Sequence, residues 1–201
     1  MREQKSGDRR VRRTRSLLHR AIASLIHEKP YEEIGVKEIL ARADVGRSTF
    51  YAHFRDKNEL LDSGIRDMLH ASGPAAPART VAPADRVLRF SRPLFEHIER
   101  ERLAGARVVE VKEQAVVHER LKGLLAEMVD EELRRVGRGG AARGGEVPRD
   151  LLVSHVAATF VLVLEWWIER AERVTAREAD ELFRALVLPI MNPALGRGLT
   201  E

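Results

Sequence analysis

Apolar residues recur along most of this chain at spacings of three and four, the period that places side chains on one face of an α-helix. The spacing predicts a first helix over about 11–27, which Pro30 brings to an end. Two short helices are expected within 36–54, and a fourth begins near Lys57 with Asp56 as its N-cap. Because no segment alternates apolar and polar β-branched residues, the pattern indicates an all-α fold.

The second half of the chain is also helical in its pattern. Three helices are predicted at roughly 85–101, 103–117 and 118–136. A long helix over about 148–171 follows, and because it is apolar around much of its circumference it must be buried on more than one side. The last helix opens with a capping box of Thr175 and Glu178, carries a broad apolar stripe, and is expected to end at Pro189 and Pro193.

Two segments interrupt the helical pattern. Residues 71–84 are rich in Ala and Pro and poor in large apolar side chains, which favours a linker. Residues 137–145 are mostly glycine, which favours a flexible loop. The predicted divisions are a basic arm (1–10), an N-terminal helical unit (11–70), the linker (71–84), a C-terminal helical bundle (85–192) and a tail (193–201).

The segment 36–54 predicts a helix-turn-helix. Its first helix places four apolar side chains on one face: Val36, Ile39, Leu40 and Ala43. Gly46 is expected to take the sharp backbone turn, and Val45 to fill the space between the helices. Phe50 and Phe54, four residues apart, would bury the inner face of the second helix. Its outer face is left with hydrogen-bond donors that suit the DNA major groove, namely Arg47, Ser48, Thr49, Tyr51 and His53.

Charge is distributed unevenly along the chain. Residues 1–20 hold eight basic and two acidic residues, a net charge of +6, whereas the whole chain carries +4, so the remainder sums to −2. Such an arm by itself could be a solvated tail. Beside a helix-turn-helix it favours contact with DNA phosphates, and Arg12 and Arg13 are the candidates for that contact.

Composition restricts the class of protein further. A content of 44% hydrophobic and 33% charged residues is typical of globular chains, and the absence of cysteine excludes disulfides and thiolate chemistry. The first twenty residues lack an apolar signal segment, and the longest apolar run, 156–164, is too short to span a bilayer. These features predict a soluble cytoplasmic protein.

The sequence offers little support for catalysis. It contains no Gly-rich phosphate loop and no Gly-x-Ser-x-Gly motif. Three histidines, His97, His118 and His155, do not have the spacing of metal ligands. We therefore expect a protein that is not an enzyme and that needs no metal or cofactor.

Residues 34–60 resemble the N-terminal signature of the tetracycline-repressor-type (TetR) family. The matching elements are the Val…Ile-Leu-Ala opening of the second helix, Ala-Asp-Val across the turn, Thr-Phe-Tyr-x-His-Phe, and Lys57 followed by Leu60. The resemblance covers about residues 11–65. It implies an all-helical homodimer, in which an N-terminal three-helix unit reads a pseudo-palindromic operator and the C-terminal bundle holds the dimer contact and often a small-molecule pocket.

The resemblance thus implies a ligand-responsive repressor. It also implies DNA contacts for a set of polar residues: Lys37, Arg47, Ser48, Thr49, Tyr51, His53 and Lys57. Lys57 matches a frequent phosphate anchor. Packing is the alternative for Tyr51 and His53, and Arg47 could reach either a guanine edge or a phosphate.

Two glycines depart from the family pattern. Gly35 and Gly46 stand where many relatives have a threonine or serine, and each departure removes a hydroxyl that could cap a helix or bind phosphate. The alternative interpretation is therefore a protein of the same fold that acts as a protein-interaction or co-regulator module, with weak or lost DNA binding.

The C-terminal bundle is expected to hold two further sites. An apolar cavity for a small hydrophobic effector could be lined by Phe90, Phe95, Met128 and Trp166, with Glu165 facing a cationic ligand, although aromatic residues at helical spacing are also typical of a core. The two long terminal helices are the expected dimer interface, through Phe160, Val163, Trp167, Leu182 and Leu186.

Overall fold

The fold was analysed in a computed structural model. It describes residues 2–70, 82–103, 115–136, 147–170 and 173–196. Within these ranges all regular secondary structure is helical, which confirms the predicted fold class. The elements are α1 (Arg2–Ile26), the 3₁₀ turn η1 (Tyr31–Glu33), α2 (Val36–Ala43), α3 (Arg47–Tyr51), α4 (Lys57–His70), α5 (Pro83–Val87), the 3₁₀ turn η2 (Leu88–Phe90), α6 (Ser91–Leu103), α7 (Ala115–Val136), α8 (Arg149–Ile168) and α9 (Ala176–Gly196).

The N-terminal unit is built from α1 to α4 around one apolar core. Helix α1 packs against α2 and α4 through its predicted apolar face, of which Leu18, Ala21, Ile22 and Leu25 are buried and Ile26 is partly buried. Helix α1 begins at Arg2, so the basic arm is helical and continuous with α1. Arginine, lysine, glutamate and glutamine are good helix formers, so a polar segment continues a helix that its apolar part has already nucleated.

The C-terminal unit is organised around α8. This helix packs between α7 and α9, and α6 lies on α9. By length and composition α8 could cross a membrane, since its mean hydropathy is 1.8 over the best window. Half of that window is buried inside the protein, and its buried side chains lie on more than one face, as the sequence predicted. This is the environment of a core helix.

Besides the start of α1, three further predicted helix boundaries are wrong. Helix α7 runs without a break across 117–118, because nothing there interrupts the apolar row that faces the core. Helix α9 continues through Pro189 and Pro193 to Gly196. Proline removes one hydrogen bond to the carbonyl four residues earlier, and here Pro189 and Ala185 are both exposed, so water can satisfy that carbonyl.

The third correction concerns the linker. Pro83 does not interrupt a helix but opens α5 in its first turn, where a missing N–H has no cost, and the neighbouring Ala84 is buried. The remainder of the predicted linker, the predicted glycine loop at 137–145 and much of the predicted helix at 103–117 lie outside the described residues.

Candidate nucleic-acid interface

The turn between α2 and α3 is made by Asp44. Its φ of 52° and ψ of 48° place it in the left-handed region, where aspartate is tolerated better than most residues. Gly46 has a φ of −68°, so the prediction that Gly46 makes the sharp turn is wrong. Gly46 is instead the N-cap of α3, without a side chain to bond the helix. A Cβ placed on it would meet only the Thr49 hydroxyl, 3.9 Å away.

The inner face of α3 is closed by two phenylalanines. Phe50 and Phe54 are both buried, with ring centroids 6.0 Å apart, as the sequence predicted. Behind them, the His19 ring lies 5.8 Å from that of Phe54, and the Arg15 guanidinium lies 5.5 Å from the same ring. Val45 is partly buried against this core. Helix α3 is therefore held from behind and presents its other edge outward.

The outer edge of α3 is exposed and polar. The residues predicted for it are exposed, with His53 half-buried: Arg47, Ser48, Thr49, Tyr51 and His53. Tyr51 is 51% exposed and meets Phe50 only edge-on, with ring centroids 5.2 Å apart, so it is not a core residue. Lys37 on α2 and Arg12 and Arg13 on α1 are exposed as well.

An ion-pair clamp joins α1 to α2. Arg42 donates to both carboxylate oxygens of Glu28, at 2.6 and 2.7 Å, and to the Ser24 hydroxyl at 2.5 Å. Lys29 donates to Glu38 at 2.5 Å, and Glu38 also accepts the backbone N–H of Gly35, the N-cap residue of α2. These bonds lower the pKa of the Glu28 and Glu38 carboxyls, chiefly through Arg42 and Lys29 respectively.

Sequence reasoning missed this clamp. Arg42 lies on α2 and Glu28 lies 14 residues earlier, in the turn after α1, and no spacing rule within one helix pairs them. Only the half capping box of Glu38, three residues after the N-cap Gly35, carries a recognisable local signal.

Lys57 has a different position from the one that the family resemblance implies. Its ammonium donates to the carbonyls of Tyr31 (2.8 Å), Glu32 (3.1 Å) and Ile34 (2.8 Å) and lies 4.5 Å from the Tyr31 ring centroid. Burial lowers the pKa of Lys57. The three bonds use its full donor capacity, so in this structure Lys57 is directed into the protein instead of outward.

The aromatic residues predicted for the effector cavity and the dimer interface mostly form one core. Phe160 is fully buried, with its ring centroid 4.8 Å from that of Phe95 and 5.4 Å from that of Phe90. Trp167 packs edge-on against Phe95 and donates its indole N–H to the Val174 carbonyl at 2.8 Å.

Placement of Phe160, Val163 and Trp167 in a dimer interface is therefore wrong, since all three are buried within a single chain. Helix α8 is apolar on nearly every side, and periodicity could not show which side faces a partner.

Two other predicted cavity residues also lie elsewhere. Trp166 is 37% exposed, and its ring lies 5.1 Å from the Arg170 guanidinium. Glu165 faces α7, where its Oε1 is 3.0 Å from Nδ1 of His118. Both residues lie outside the pocket of about 160 Å³ that includes Phe90 and Met128.

A pocket of about 160 Å³ does include Phe90 and Met128. It lies where the end of α4 meets η2 and the C-terminal half of α7. Its other lining residues are Leu69, His70, Val87, Arg89, Glu131, Glu132 and Arg135. The buried Glu132 carboxylate is paired with Arg89 at 2.9 Å and Arg135 at 2.5 Å, and Arg135 is also paired with Glu131, so two carboxylates face two guanidinium groups at the polar side of the pocket.

Helices α8 and α9 expose an apolar face in the single chain. On α9 the apolar residues of one stripe are partly exposed at intervals of four: Leu182, Leu186 and Ile190. Leu162 and Trp166 on α8 are exposed by 61% and 37%. Leu182 and Leu186 thus lie on a surface, as the predicted dimer contact requires.

The architecture defines a helix-turn-helix protein: a short exposed helix, α3, is held by a three-helix core and joined to a larger helical unit. Residues 18–63 match the family described as bacterial regulatory proteins of the tetR family. The family match thus covers the N-terminal unit, where the signature in the sequence suggested it.

This chain is similar to several known transcriptional regulators, over different shares of its length. The uncharacterized HTH-type transcriptional regulator YxbF of Bacillus subtilis (strain 168) is 38% identical over 65 residues, which span 32% of this chain and 17% of that protein. Over whole chains the likeness is one of fold. A TetR transcriptional regulator from Streptococcus agalactiae 2603V is 22% identical, with a TM-score of 0.57 over 92% of this chain and 98% of the other. RolR in complex with resorcinol is 21% identical, with a TM-score of 0.53 over 96% and 98%.

Proposed function

We propose that this chain is a sequence-specific DNA-binding transcriptional regulator that acts in the cytoplasm. The observation that carries the proposal is the outer edge of α3. Arg47, Ser48, Thr49 and Tyr51 are exposed there on a helix whose other side is closed by Phe50 and Phe54. Arginine and hydroxyl side chains are the groups that read base edges and phosphates in the major groove.

Two exposed basic residues outside α3 support the same proposal. Lys37 on α2 and Arg13 on α1 are exposed, and both would add phosphate contacts that orient the protein on the duplex. If six to ten phosphates are neutralised, affinity should fall by about 10³–10⁵ between 50 and 200 mM salt.

A gel shift with the intergenic DNA beside the protein's own gene tests this function. We expect the wild-type chain to bind that DNA more tightly than a mixed-sequence duplex. The variant Arg47→Ala should relax preference at one operator position, by about 1–3 kcal/mol for the removal of one bidentate bond to a base. The matched control, Lys37→Ala, should weaken binding to all sequences alike. Equal and weak binding of every duplex would instead favour a co-regulator that acts through protein contacts.

We further propose that the operator is a pseudo-palindrome bound by a homodimer. The exposed apolar face on α8 and α9 supports this, because two copies would cover it in a four-helix contact. A two-fold dimer presents two recognition helices, and half-sites one helical turn apart, about 34–36 Å, match such a pair.

Ligand response is part of the same proposal, with repression as the expected outcome in the absence of effector. The pocket beside Phe90 and Met128 is the candidate effector site, since it has an apolar wall and polar groups at its edge. A cavity of about 150 Å³ is sufficient for benzene, so a pocket of about 160 Å³ fits a single ring. Resorcinol, the ligand in the RolR structure, is the first compound to test by thermal shift.

A further inference from the structure

The turn between α1 and α2 has few backbone hydrogen bonds of its own. Within it, the N–H of Glu33 bonds the Pro30 carbonyl and the N–H of Ile34 bonds the Tyr31 carbonyl, both at 3.1 Å. The carbonyls of Glu32 and Ile34 precede α2, so the hydrogen-bond ladder of that helix does not use them. Glu32 is exposed, so water can bond its carbonyl, whereas Ile34 is buried. A buried carbonyl without a partner destabilises a fold, so the Ile34 carbonyl in particular needs a donor from elsewhere.

Lys57 supplies this donor from the first turn of α4. Its ammonium carries three protons, and the carbonyls of Tyr31, Glu32 and Ile34 lie 2.8, 3.1 and 2.8 Å from Nζ. The same ammonium lies 4.5 Å from the Tyr31 ring centroid, a distance at which a cation is attracted to the aromatic face. Residues 31–35 lead into α2. The Lys57 ammonium bonds the carbonyls of all of them except Glu33 and Gly35.

Asn58 holds the same turn from the other side. The Tyr31 hydroxyl donates to Oδ1 of Asn58 at 2.8 Å, and the Tyr31 side chain is almost completely buried. Burial raises the pKa of Tyr31 to about 12, which keeps the hydroxyl protonated as a donor. Two consecutive residues of α4 thus fix one tyrosine, Lys57 through its carbonyl and ring and Asn58 through its hydroxyl.

We propose that Lys57 is a positioning residue that sets the entry to α2, and not a phosphate anchor. The proposal rests on the proposed function, because positioning matters through α3, which follows α2 after the Asp44 turn. Contact with a phosphate would require the ammonium to leave the carbonyl of the buried Ile34, which the ladder of α2 does not use, and the face of the Tyr31 ring. Lowering of the Lys57 pKa by burial agrees with an inward-facing charge.

The test compares three variants with the wild-type chain. Lys57→Met removes the donors and the charge but keeps a long apolar stem. Lys57→Arg keeps the charge, but its planar fork does not direct three donors onto one converging set of carbonyls. Lys37→Met is the matched control, since it removes an exposed lysine at the start of the same α2.

Two measurements separate a positioning residue from a phosphate anchor. The first is amide hydrogen exchange of residues 31–36 together with thermal melting, both without DNA. The second is the salt dependence of binding to a fluorescent mixed-sequence duplex, whose slope changes by about 0.9 for each phosphate that the protein no longer neutralises.

We expect both Lys57 variants to exchange amides of 31–36 about tenfold faster or more, and Lys57→Met to melt about 4 °C lower or more. Their salt slopes should equal that of the wild-type chain, even where affinity falls. Lys37→Met should show the reverse: unchanged exchange and melting, with a slope smaller by about 0.9. A Lys57→Met chain that does not fold would also support the proposal, since loss of a phosphate anchor leaves folding intact, and Lys57→Gln would then supply the exchange data.

The proposal is overturned if Lys57→Met exchanges and melts as the wild-type chain does, or if Lys57→Arg restores wild-type exchange. It is also overturned if the salt slope of Lys57→Met falls by about 0.9 at unchanged exchange. The exchange measurement needs no DNA. Failure of the wild-type chain to bind any duplex would therefore contradict the proposed function while the exchange data still decide the role of Lys57.

Discussion

His19 shows how one side chain depends on its surroundings. It projects from α1 toward α4, where a Cβ at position 64 would stand in ordinary van der Waals contact with the imidazole, 3.5 Å away. Burial lowers the pKa of His19. The Asp67 carboxylate, 3.5 Å from Nδ1, opposes this shift, and the positive charge of Arg15 adds to it. The folded protein therefore resists protonation of this residue.

The shift predicts a loss of stability in acid. Below the ordinary imidazole value of about 6.5, the unfolded chain takes up a proton at His19 that the folded chain does not, so the free energy of unfolding falls until the lower folded pKa is reached. Above about 6.5 this contribution is constant. Thermal melts between about pH 8 and 5 should show a steeper decline for the wild-type chain than for His19→Gln. The exposed His70→Gln serves as control and should follow the wild-type curve.

Sequence reasoning at this scale succeeded where a residue's role follows from its neighbours in the same helix. Phe50 and Phe54 mark the inner side of α3, and that settles which side Tyr51 occupies. It failed for Lys57 and Arg42. Their partners are carbonyls and a carboxylate more than ten residues away, brought near only by the packing of α1, α2 and α4.

Among the elements, α4 begins as the sequence predicted. The Asp56 carboxylate accepts the backbone N–H groups of Asn58 at 2.7 Å and Glu59 at 2.9 Å. These are two of the donors that a helix start leaves without partners. The cap holds the helix that also carries Lys57, so its strength bears on the whole N-terminal unit.

Removal of this cap should have a measurable cost. Asp56→Ala is expected to lower the free energy of unfolding by about 1 kcal/mol, within a range of about 0.5–2 kcal/mol. Asp56→Asn keeps an oxygen acceptor of the same reach and should unfold close to the wild-type chain. Urea denaturation followed by circular dichroism measures both. Equal losses in the two variants would show that the charge and not the cap is what matters.

Helix interiors were predicted more accurately than helix ends. The apolar stripes of α1 and α4 are buried as expected, because apolar residues at the helical period lie on one face that can pack against the core. The ends of helices depend on weaker sequence signals, such as a single proline. Proline at position 189 predicted the end of α9, but an exposed proline at the surface of a well-packed helix costs less than the packing of the helix contributes.

At the scale of the whole molecule, the exposed apolar face of α8 and α9 is the surface that a second copy of the chain would cover. Leu186 lies near the middle of the α9 stripe and is 53% exposed, whereas Phe183 and Val187 on the other side are fully buried. A substitution at Leu186 therefore changes the surface without entering the core. Phe160→Glu lacks this property, because it would place a carboxylate inside the aromatic core and unfold the chain.

Leu186→Glu should separate the proposed dimer. A carboxylate in an apolar contact is not solvated, so we expect folded monomers by sedimentation velocity and loss of operator binding at the same time. The control is Leu103→Glu at the end of α6, which is 72% exposed and should leave the oligomeric state unchanged. If Leu186→Glu remained dimeric and bound DNA as tightly as the parent, the interface would have to lie elsewhere.

Local sequence determined the helical class, the helix-turn-helix and the outward edge of α3, since each follows from side-chain spacing within about twenty residues. Tertiary structure decided which apolar residues are core and which are surface. Trp166 and Trp167 are adjacent and chemically identical, yet one is exposed and the other fully buried, because successive residues on a helix point about 100° apart and only packing against α6 and α9 selects the inner one. Tertiary structure also decided that the Lys57 side chain turns inward, because its three carbonyl acceptors come within its reach only when α4 packs against η1.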